Sequence, residues 1–326
     1  MRVTVTGADG FVGRHLVRIL GESGHAVTAA VRPGVLGRVR WETPAGGREG
    51  SGMRVAEVPL ELAAVASVAA AATVAAEAVV HLAGLSSGRE ALDDPGVAWD
   101  VNAAGTARLC QALGRRVQAG EADPLVLVAS TAEVYGPLGG GVPARPRVET
   151  DPVMPVSPYA ASKAGAELAA RETRARTGLR VAIVRPFPHT GPGQDARFVA
   201  PALARRLRHA RRTGTRVVPV GNLEPVRDVL DVRDVCAAYV ALLTGAVPGE
   251  TYNIAGGTGL SVRELFQRLA AIVGVDPIAD VDETLVRAVD LPHLVGDARK
   301  LRERTGWAPA IPLDRTLQDL VDAQTD

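Results

Sequence analysis

The sequence predicts an α/β fold in which a doubly wound parallel sheet is joined to a smaller C-terminal α/β domain. Strand-like apolar runs alternate with helical segments from the N-terminus to about residue 187, and this succession is typical of right-handed βαβ units. The chain has 326 residues, 47% of them apolar, which is enough for one large core and a second, smaller one. After Pro186 the alternation gives way to connections rich in proline and glycine, which indicates a crossing between domains.

The elements of the larger domain follow one another in a regular order. The predicted strands are the runs RVTVTG, AVTAAVR, MRVAEV, AVVHLAG, PLVLVAS and RVAIVRPF. Helices are predicted at residues 11–23, in the Ala-rich stretch 63–78, at 101–116 and at 158–177. Because a helix stands between successive strands, the strands are expected to pair in parallel.

The C-terminal part is expected to return once to the main sheet. The segment LDVRDVCAAYVALL is predicted to make this return, so the larger domain comprises residues 1–187 together with about 226–254. The smaller domain then comprises residues 188–225 and 255–326.

Composition excludes several classes of protein. A net charge of +1 gives no general reason to expect nucleic acid or a membrane surface as partner. No apolar run reaches the length of about 18 residues that spans a bilayer, and the N-terminal residues lack the features of a signal peptide. Cys110 and Cys236 lie in apolar helical patterns, which predicts core residues of a cytoplasmic protein without a disulfide or a metal site.

Almost all basic residues of the chain are arginines. The chain contains 37 basic residues, of which only Lys163 and Lys300 are lysines. The arginine-rich stretch at residues 197–216 is interpreted as the solvated face of a helix. The alternative is that part of it forms the wall of a diphosphate site, because guanidinium groups match phosphate oxygens.

A glycine triplet stands between the first strand and the first helix. In VTVTGADGFVGRHLVRIL, Gly7, Gly10 and Gly13 occupy the turn that joins them. Glycines in this position permit a tight turn and let a pyrophosphate reach the N-terminus of the helix. This context favours a dinucleotide-binding Rossmann domain over an ordinary βα turn.

The residue after the second strand indicates which dinucleotide is bound. An acidic side chain there accepts hydrogen bonds from the adenosine ribose, whereas an arginine pairs with a 2′-phosphate. The strand AVTAAV is followed by Arg32. The sequence therefore favours NADP(H), with NAD(H) as the alternative if Arg32 is a solvated loop residue.

The segment SPYAASKAG carries the most specific pattern in the chain. Ser157 is predicted to cap a helix whose first residue is Pro158, so Tyr159 and Lys163 lie four residues apart on one helical face. A nearby ammonium favours the phenolate and is expected to lower the pKa of Tyr159, making the phenol a usable acid or base. Lysine also suits contact with ribose hydroxyls better than a planar guanidinium does.

Four motifs, TGADGFVG, HLAG, STAEVYG and YAASK, together resemble the extended short-chain dehydrogenase/reductase family, which acts on nucleotide sugars. Members hold NAD(P) on a Rossmann domain and close a small C-terminal domain over the nucleotide sugar. Longer segments are similar to GDP-4-keto-6-deoxymannose reductases, close relatives of GDP-mannose 4,6-dehydratases. They are RPFPHTGPGQ, VGNLEPVRDVLDVRDV, GETYNIAGGTGLSVREL and LPHLVGDARKLRERTGWAPAIPLDRTL.

The resemblance implies roles for individual residues. Thr131 is expected to bond the sugar C4 oxygen, Tyr159 to act as acid or base with Lys163 as its partner, and Asn102 to support the active-site helix. Arg227 is expected to bind the diphosphate, unless it pairs instead with Asp228 or Asp231. Further cofactor contacts are implied at Phe11, Val12, Leu82, Ala83 and Pro186. Further substrate contacts are implied at Ser86, Pro188, Val199, Asn222 and, as a weaker candidate for the diphosphate, Arg287.

Two positions depart from the family pattern. Pro188 stands where members usually carry an asparagine that holds the sugar nucleotide, and proline has neither an amide side chain nor a backbone N–H. Ala132 stands where the best-known nucleotide-sugar dehydratases carry an aspartic acid, so the acid of an Asp/Glu elimination is absent. Glu133 is retained, as in GDP-mannose dehydratases, either as a C5 base or as a residue that orients Thr131 or the sugar.

These residues predict reduction of a 4-keto nucleotide sugar by NADPH, with GDP-4-keto-6-deoxymannose as substrate. A GDP-mannose 4,6-dehydratase that uses Glu133 is the first alternative. A 4-epimerase that keeps NAD(H) bound is the second, and a non-catalytic dinucleotide-binding protein is the third. The resemblance also implies a homodimer formed by helices 101–116 and 158–177, against the alternative of a monomer that buries their Ala-rich faces in its own core.

Overall fold

The computed structural model describes residues 1–41, 55–138, 144–286 and 289–324. Its strands are β1 (Arg2–Thr6), β2 (Ala26–Val31), β3 (Val55–Pro59), β4 (Ala78–His81), β5 (Leu125–Ala129), β6 (Arg180–Pro186), β7 (His189–Thr190), β8 (Val217–Val220), β9 (Val226–Arg227), β10 (Leu230–Asp231), β11 (Thr251–Ile254), β12 (Leu260–Ser261), β13 (Ile278–Val281) and β14 (His293–Leu294).

The α-helices are α1 (Phe11–Glu22), α2 (Val65–Ala72), α3 (Gly88–Asp93), α4 (Pro95–Ala98), α5 (Gly105–Gln118), α6 (Pro158–Thr177), α7 (Val199–Thr213), α8 (Val232–Gly245), α9 (Val262–Val273), α10 (Arg299–Thr305) and α11 (Leu313–Asp322). A π-helical turn, Trp99–Ala104, precedes α5, and 3-10 turns cover Pro33–Val35, Ala132–Tyr135 and Glu283–Leu285. No described helix is long and apolar enough to cross a membrane.

Seven strands form the main sheet in the order β11-β6-β5-β4-β1-β2-β3. Each pair of neighbours runs parallel, as predicted from the βαβ succession. The strand order reverses between β1 and β4, so α1, which follows β1, and α5, which follows β4, pack on opposite faces of the sheet. This switch point opens a crevice at the carboxyl edge of the sheet, where α/β proteins bind ligands.

Apolar strands are buried on both faces of this sheet. All five residues of β5 are buried. Leu125 and Leu127 pack into a core with α1 and α8, whereas Val126 and Val128 pack into the core on the other face. The continuous apolar run that predicted this strand is therefore explained by burial on two sides.

A separate apolar cluster joins α7, α9 and α11 to β8. It includes Leu207, Leu269 and Leu317, each fully buried, and it supplies a core for the C-terminal part of the chain. The later segment that holds Leu294 and Trp307 packs instead against the core of the main sheet. The domain boundaries given above stay a prediction.

Three predicted elements differ in detail. The segment at residues 230–243 contributes β10 and most of α8, which packs on α1, and β11 is the strand that joins the main sheet. The Ala-rich helix is short, because Ala78 already begins the buried strand β4. The helix predicted at residues 101–116 begins within a π-helical turn.

Candidate active site

The glycine turn after β1 is required by close packing of the backbone. Gly7 has φ +67°, and a Cβ there would lie 2.7 Å from the backbone nitrogen of Ala83. A Cβ at Gly13 would lie 2.2 Å from the carbonyl oxygen of Gly7. Larger residues are therefore excluded at both positions. The turn also brings Gly7 together with Leu82 and Ala83, as the predicted cofactor site requires.

The N-terminus of α1 fits a pyrophosphate. Its cap residue is Gly10, no side chain caps the helix, and no acidic residue occupies the first turn. A Cβ at Gly10 would meet only the Gly7 carbonyl oxygen, at 3.1 Å, so the space outside the turn is open to a ligand. The first backbone N–H groups of a helix bind anions, and here they belong to Phe11 and Val12.

Arg32 is anchored at the end of β2 beside this turn. Its Nε donates to Asp9 Oδ2 at 2.7 Å, while the Arg32 side chain stays 72% exposed. The ion pair holds the guanidinium next to the glycine turn. A guanidinium in this position can pair with a phosphate, the role predicted for Arg32 with the 2′-phosphate of NADP(H).

Two elements bring the predicted catalytic residues together. The side chain of Ser157 caps α6 and Pro158 is its first residue, as the sequence predicts, and Tyr159 and Lys163 follow in the first two turns. Thr131 follows β5 and caps the short 3-10 turn, its hydroxyl accepting from the Glu133 N–H at 3.3 Å. The Thr131 hydroxyl lies close enough to the Tyr159 phenol to influence its pKa.

The pKa of Tyr159 moves in the direction opposite to the one expected from the Tyr–Lys spacing. Loss of hydration around the half-buried phenol raises it most, and the nearby charge of Glu133 raises it further. The neighbouring Thr131 hydroxyl lowers the pKa of Tyr159, but by less. Tyr159 is therefore a protonated phenol at neutral pH, which is the form that donates a proton.

Lys163 is buried, with 8% of its surface exposed. Burial lowers its pKa to about 8, and the charge of Glu167 opposes that effect. The ammonium therefore stays charged at neutral pH and loses its proton in the mildly alkaline range.

Asn102 holds the catalytic helix against the loop after β4. Its Oδ1 accepts from the Leu85 N–H at 2.8 Å, and its Nδ2 donates to the Leu85 carbonyl at 3.1 Å and to Ser162 Oγ at 2.9 Å. The residue sits in the π-helical turn, a feature frequent at functional sites. Gly84 is required here, because a Cβ would lie 2.6 Å from Asn102 Oδ1.

The predicted substrate residues lie on several loops. Ser86 is exposed after β4, Val199 begins α7 with 41% exposure, and Asn222 follows β8. Pro186, a predicted cofactor contact, ends β6. The Pro188 carbonyl accepts from the Leu230 N–H at 2.9 Å. Arg287 lies outside the described residues.

Arg227 is held by the segment before β14. It forms an ion pair with Asp290 and donates to the Leu291 carbonyl at 2.6 Å. The neighbouring Asp228, offered above as an alternative partner, instead accepts from the backbone N–H groups of Gly256 and Gly257.

Comparison with known proteins identifies the family. A family model described as GDP-mannose 4,6 dehydratase matches residues 4–320. The chain belongs to this family. GDP-6-deoxy-D-mannose reductase from Pseudomonas aeruginosa is 32% identical over 321 residues, covering 98% of this chain and 96% of that protein.

Two further comparisons bear on the activity and the cofactor of this family member. GDP-6-deoxy-D-talose 4-dehydrogenase from Aggregatibacter actinomycetemcomitans is 29% identical over 92% of this chain and 90% of that protein. The structure of RMD from Pseudomonas aeruginosa complexed with NADPH matches with a TM-score of 0.79 and 31% identity, covering 99% of this chain and 98% of that one. Membership of the extended short-chain dehydrogenase/reductase family, predicted above, is confirmed, and so is the class of NAD(P)-dependent nucleotide-sugar oxidoreductases.

Two buried polar groups, His81 and Glu167, were not predicted from the sequence. The His81 ring lies between the hydroxyls of Thr6 and Thr106, at 2.8 and 3.0 Å. Glu167 lies one helical turn after Lys163 and is buried. The spacing of Tyr159, Lys163 and Glu167 at four-residue intervals signalled the second group, because such residues share one helical face.

Proposed function

We propose that this protein reduces the C4 keto group of GDP-4-keto-6-deoxymannose, with NADPH as the hydride donor. The product is a GDP-6-deoxyhexose such as GDP-rhamnose, or its C4 epimer if the ring presents its other face. The relatives that support this proposal are named as a GDP-6-deoxy-D-mannose reductase and a GDP-6-deoxy-D-talose 4-dehydrogenase.

The observation that carries the proposal is that the Thr131 hydroxyl and the Tyr159 phenol come close enough to influence each other, beside the buried Lys163. Both hydroxyls can donate to one ketone oxygen, and Tyr159 is held in its protonated form. Donors placed in advance stabilise the negative charge that develops on that oxygen during reduction. Tyr159 then gives its proton to the oxygen, and the Lys163 ammonium stabilises the phenolate that remains.

Binding of the nicotinamide cofactor is assigned to the glycine turn and to Arg32. When bound, NADPH supplies the hydride. Gly7, Gly10 and Gly13 admit its pyrophosphate to the N-terminus of α1, and Arg32, fixed by Asp9, receives the 2′-phosphate. Lys163 orients the ribose next to the nicotinamide.

The nucleotide sugar is assigned to the crevice between the main sheet and the C-terminal segments. Arg227 binds the diphosphate, its guanidinium already oriented by Asp290 and the Leu291 carbonyl. Val199 and Asn222 contact the nucleotide. Pro188 offers no donor, and its carbonyl is already used by Leu230, so the substrate is held there by other groups.

A 4,6-dehydratase remains the second candidate because of Glu133. The Glu133 charge is close enough to raise the pKa of Tyr159, so the carboxylate is near the reacting sugar and could remove the C5 proton. Elimination also needs an acid for the C6 hydroxyl, and the buried Ala132 has no proton to give. Reduction requires only the groups that are present.

One incubation distinguishes the two candidates. The purified protein is given GDP-mannose and NADPH, with and without a known GDP-mannose 4,6-dehydratase, and absorbance of NADPH is followed. The proposal predicts consumption of NADPH only when the dehydratase is present. Formation of the 4-keto sugar by this protein alone would assign it as the dehydratase.

We also propose that the protein forms a homodimer through the helices at residues 101–116 and 158–177. An apolar patch lies on α6 and the neighbouring π-helical turn, where Leu168 is 69% exposed and Trp99 is 46% exposed. The Trp99 ring packs against Gly165, where a Cβ would lie 2.6 Å from it. Light scattering of the protein and of its Leu168→Arg variant tests the proposal: a dimer that becomes a monomer is expected.

A further inference from the structure

A buried ion pair lies one helical turn beyond Lys163. Glu167 accepts two hydrogen bonds from Arg185, with Nε to Oε1 at 2.8 Å and Nη2 to Oε2 at 2.7 Å. The two side chains are only 4% and 3% exposed. Burying two charges is costly unless their geometry is good, and this pair has the bidentate geometry that is strongest for arginine.

The pair also connects the two elements that carry the catalytic residues. Glu167 is on α6, and the guanidinium of Arg185 on β6 lies over the ring of Tyr135, 4.8 Å from its centroid. Tyr135 is the last residue of the 3-10 turn that Thr131 caps, and its hydroxyl donates to Asn253 Oδ1 at 2.6 Å. Arg185 is therefore fixed from both sides, and it fixes the Glu167 carboxylate in turn.

We propose that Glu167, fixed by Arg185, is a positioning residue that keeps the buried Lys163 side chain in its ammonium form at neutral pH. The proposal rests on the proposed function for its catalytic meaning, since Lys163 acts there as a cation. Residues four apart on a helix are neighbours, so an anion at Glu167 compensates the ammonium at Lys163 inside the fold. Without that anion, desolvation alone acts on the ammonium and favours the neutral amine.

The other titratable groups around Lys163 do not supply this compensation. Tyr159, one turn before it, is protonated. On β4, burial and the Lys163 charge lower the pKa of His81 to about 3, so the ring is neutral. On α5, burial raises the pKa of Cys110 to about 12. The Glu133 charge acts instead on the Tyr159 phenol.

The arginines nearby are directed elsewhere. Those of α5 point away from Lys163, with Arg108 donating to the Leu62 carbonyl and Arg116 to the Ala72 carbonyl. Arg171 lies 3.8 Å from Glu167 but is 42% exposed, so solvent weakens its effect.

The chain offers a direct measurement, because it contains only two lysines, Lys163 and Lys300. Protein labelled with ¹³C at the lysine ε-carbon gives two signals, and a Lys300→Arg variant assigns them. Lys300 pairs at the surface with Glu250 and serves as an internal reference. We expect the Lys163 signal to titrate near pH 8 in the parent protein.

Three variants test the role of the carboxylate. Glu167→Gln is expected to lower the Lys163 titration midpoint by about one unit, the low end of the effect of a neighbouring opposite charge. Arg185→Gln leaves Glu167 without its competing cation and is expected to raise the midpoint. Glu172→Gln, on the same helix but at an exposed pair with Arg176, is the matched control and is expected to change nothing.

Because the first two variants act in opposite directions, the proposal can be tested even if only one of them folds. An unchanged Lys163 midpoint in a folded Glu167→Gln or Arg185→Gln protein would overturn it. The titration needs neither cofactor nor substrate. Failure of the proposed reductase activity therefore leaves this result untouched, and the two proposals fail separately.

Discussion

The amide of Asn102 donates to the Ser162 hydroxyl at 2.9 Å, and so joins the π-helical turn to the catalytic helix. Ser162 in turn donates to the Tyr159 carbonyl at 2.8 Å. Since Asn102 also bonds both backbone groups of Leu85, one buried side chain sets the position of α6 relative to the loop after β4. The placement of Tyr159 and Lys163 depends on it.

Replacing Asn102 with alanine is expected to destabilise the protein and to slow the reaction. The change removes the side-chain partners of the half-buried Leu85 N–H and carbonyl, which costs up to about 1–3 kcal/mol for each group left unsatisfied. Urea denaturation measures the loss, and kcat measured on the same protein is expected to fall. Gln118→Ala, at an exposed position of α5, is the control. Unfolding free energies that agree for the two variants would contradict the supporting role of Asn102.

Replacing Tyr159 with phenylalanine removes the proposed proton donor without removing the ring. A general acid contributes about 10²–10⁴-fold to a rate, so kcat for the 4-keto sugar is expected to fall by that factor. Binding of NADPH, measured by its fluorescence, is expected to persist, because the glycine turn and Arg32 are unchanged. Turnover at the parental rate would remove Tyr159 from the mechanism.

The choice between NADPH and NADH is expected to depend on Arg32. A charged hydrogen bond is worth about 1.5–3 kcal/mol, so Arg32→Gln is expected to raise KM for NADPH by about 10- to 100-fold and to leave KM for NADH nearly unchanged. Arg2→Gln, at an exposed pair with Glu77 near the other end of β1, is the control. A similar loss with both cofactors would show that Arg32 does not read the 2′-phosphate.

Local signals account for what the sequence predicted well. The bounds of α6 agree with the prediction because Ser157, Pro158 and the left-handed Gly178 are start and stop signals that lie in the helix itself. The π-helical turn was not predicted, because its contacts come from distant residues: Asn102 bonds Leu85 and, 60 positions away, Ser162. A tertiary contact of that kind leaves no periodic pattern in the sequence.

The sequence predicted that Thr131, Tyr159 and Lys163 lie together, but not the electrostatics of this group. The pairing of Tyr159 with Lys163 follows from helical spacing. The direction of the Tyr159 pKa does not, because it is decided by how much water the fold removes from the phenol and by the position of Glu133. Both depend on packing between elements that are far apart in the chain.

The last prediction concerns His81 and acid stability. Burial and the nearby Lys163 lower the pKa of this imidazole from its ordinary value of 6.5 to about 3 in the folded protein. As pH falls below 6.5, the unfolded chain binds a proton at His81 that the folded protein does not. The stability that His81 provides is therefore present above that pH and is lost progressively toward pH 3.

This contribution can be isolated as a slope. One proton of difference changes the unfolding free energy by about 1.4 kcal/mol per pH unit, so the parent protein is expected to lose stability between about pH 6 and pH 4 more steeply than a His81→Gln variant by up to that amount. Glutamine loses part of the hydrogen bonding to Thr6 and Thr106. That loss lowers the unfolding free energy by the same amount at every pH and so leaves its slope with pH unchanged. His209→Gln, on the exposed surface of α7, controls for the removal of a histidine. Equal slopes for the parent and the His81→Gln variant would mean that His81 is protonated inside the fold, and the neutral imidazole beside the Lys163 ammonium would have to be abandoned.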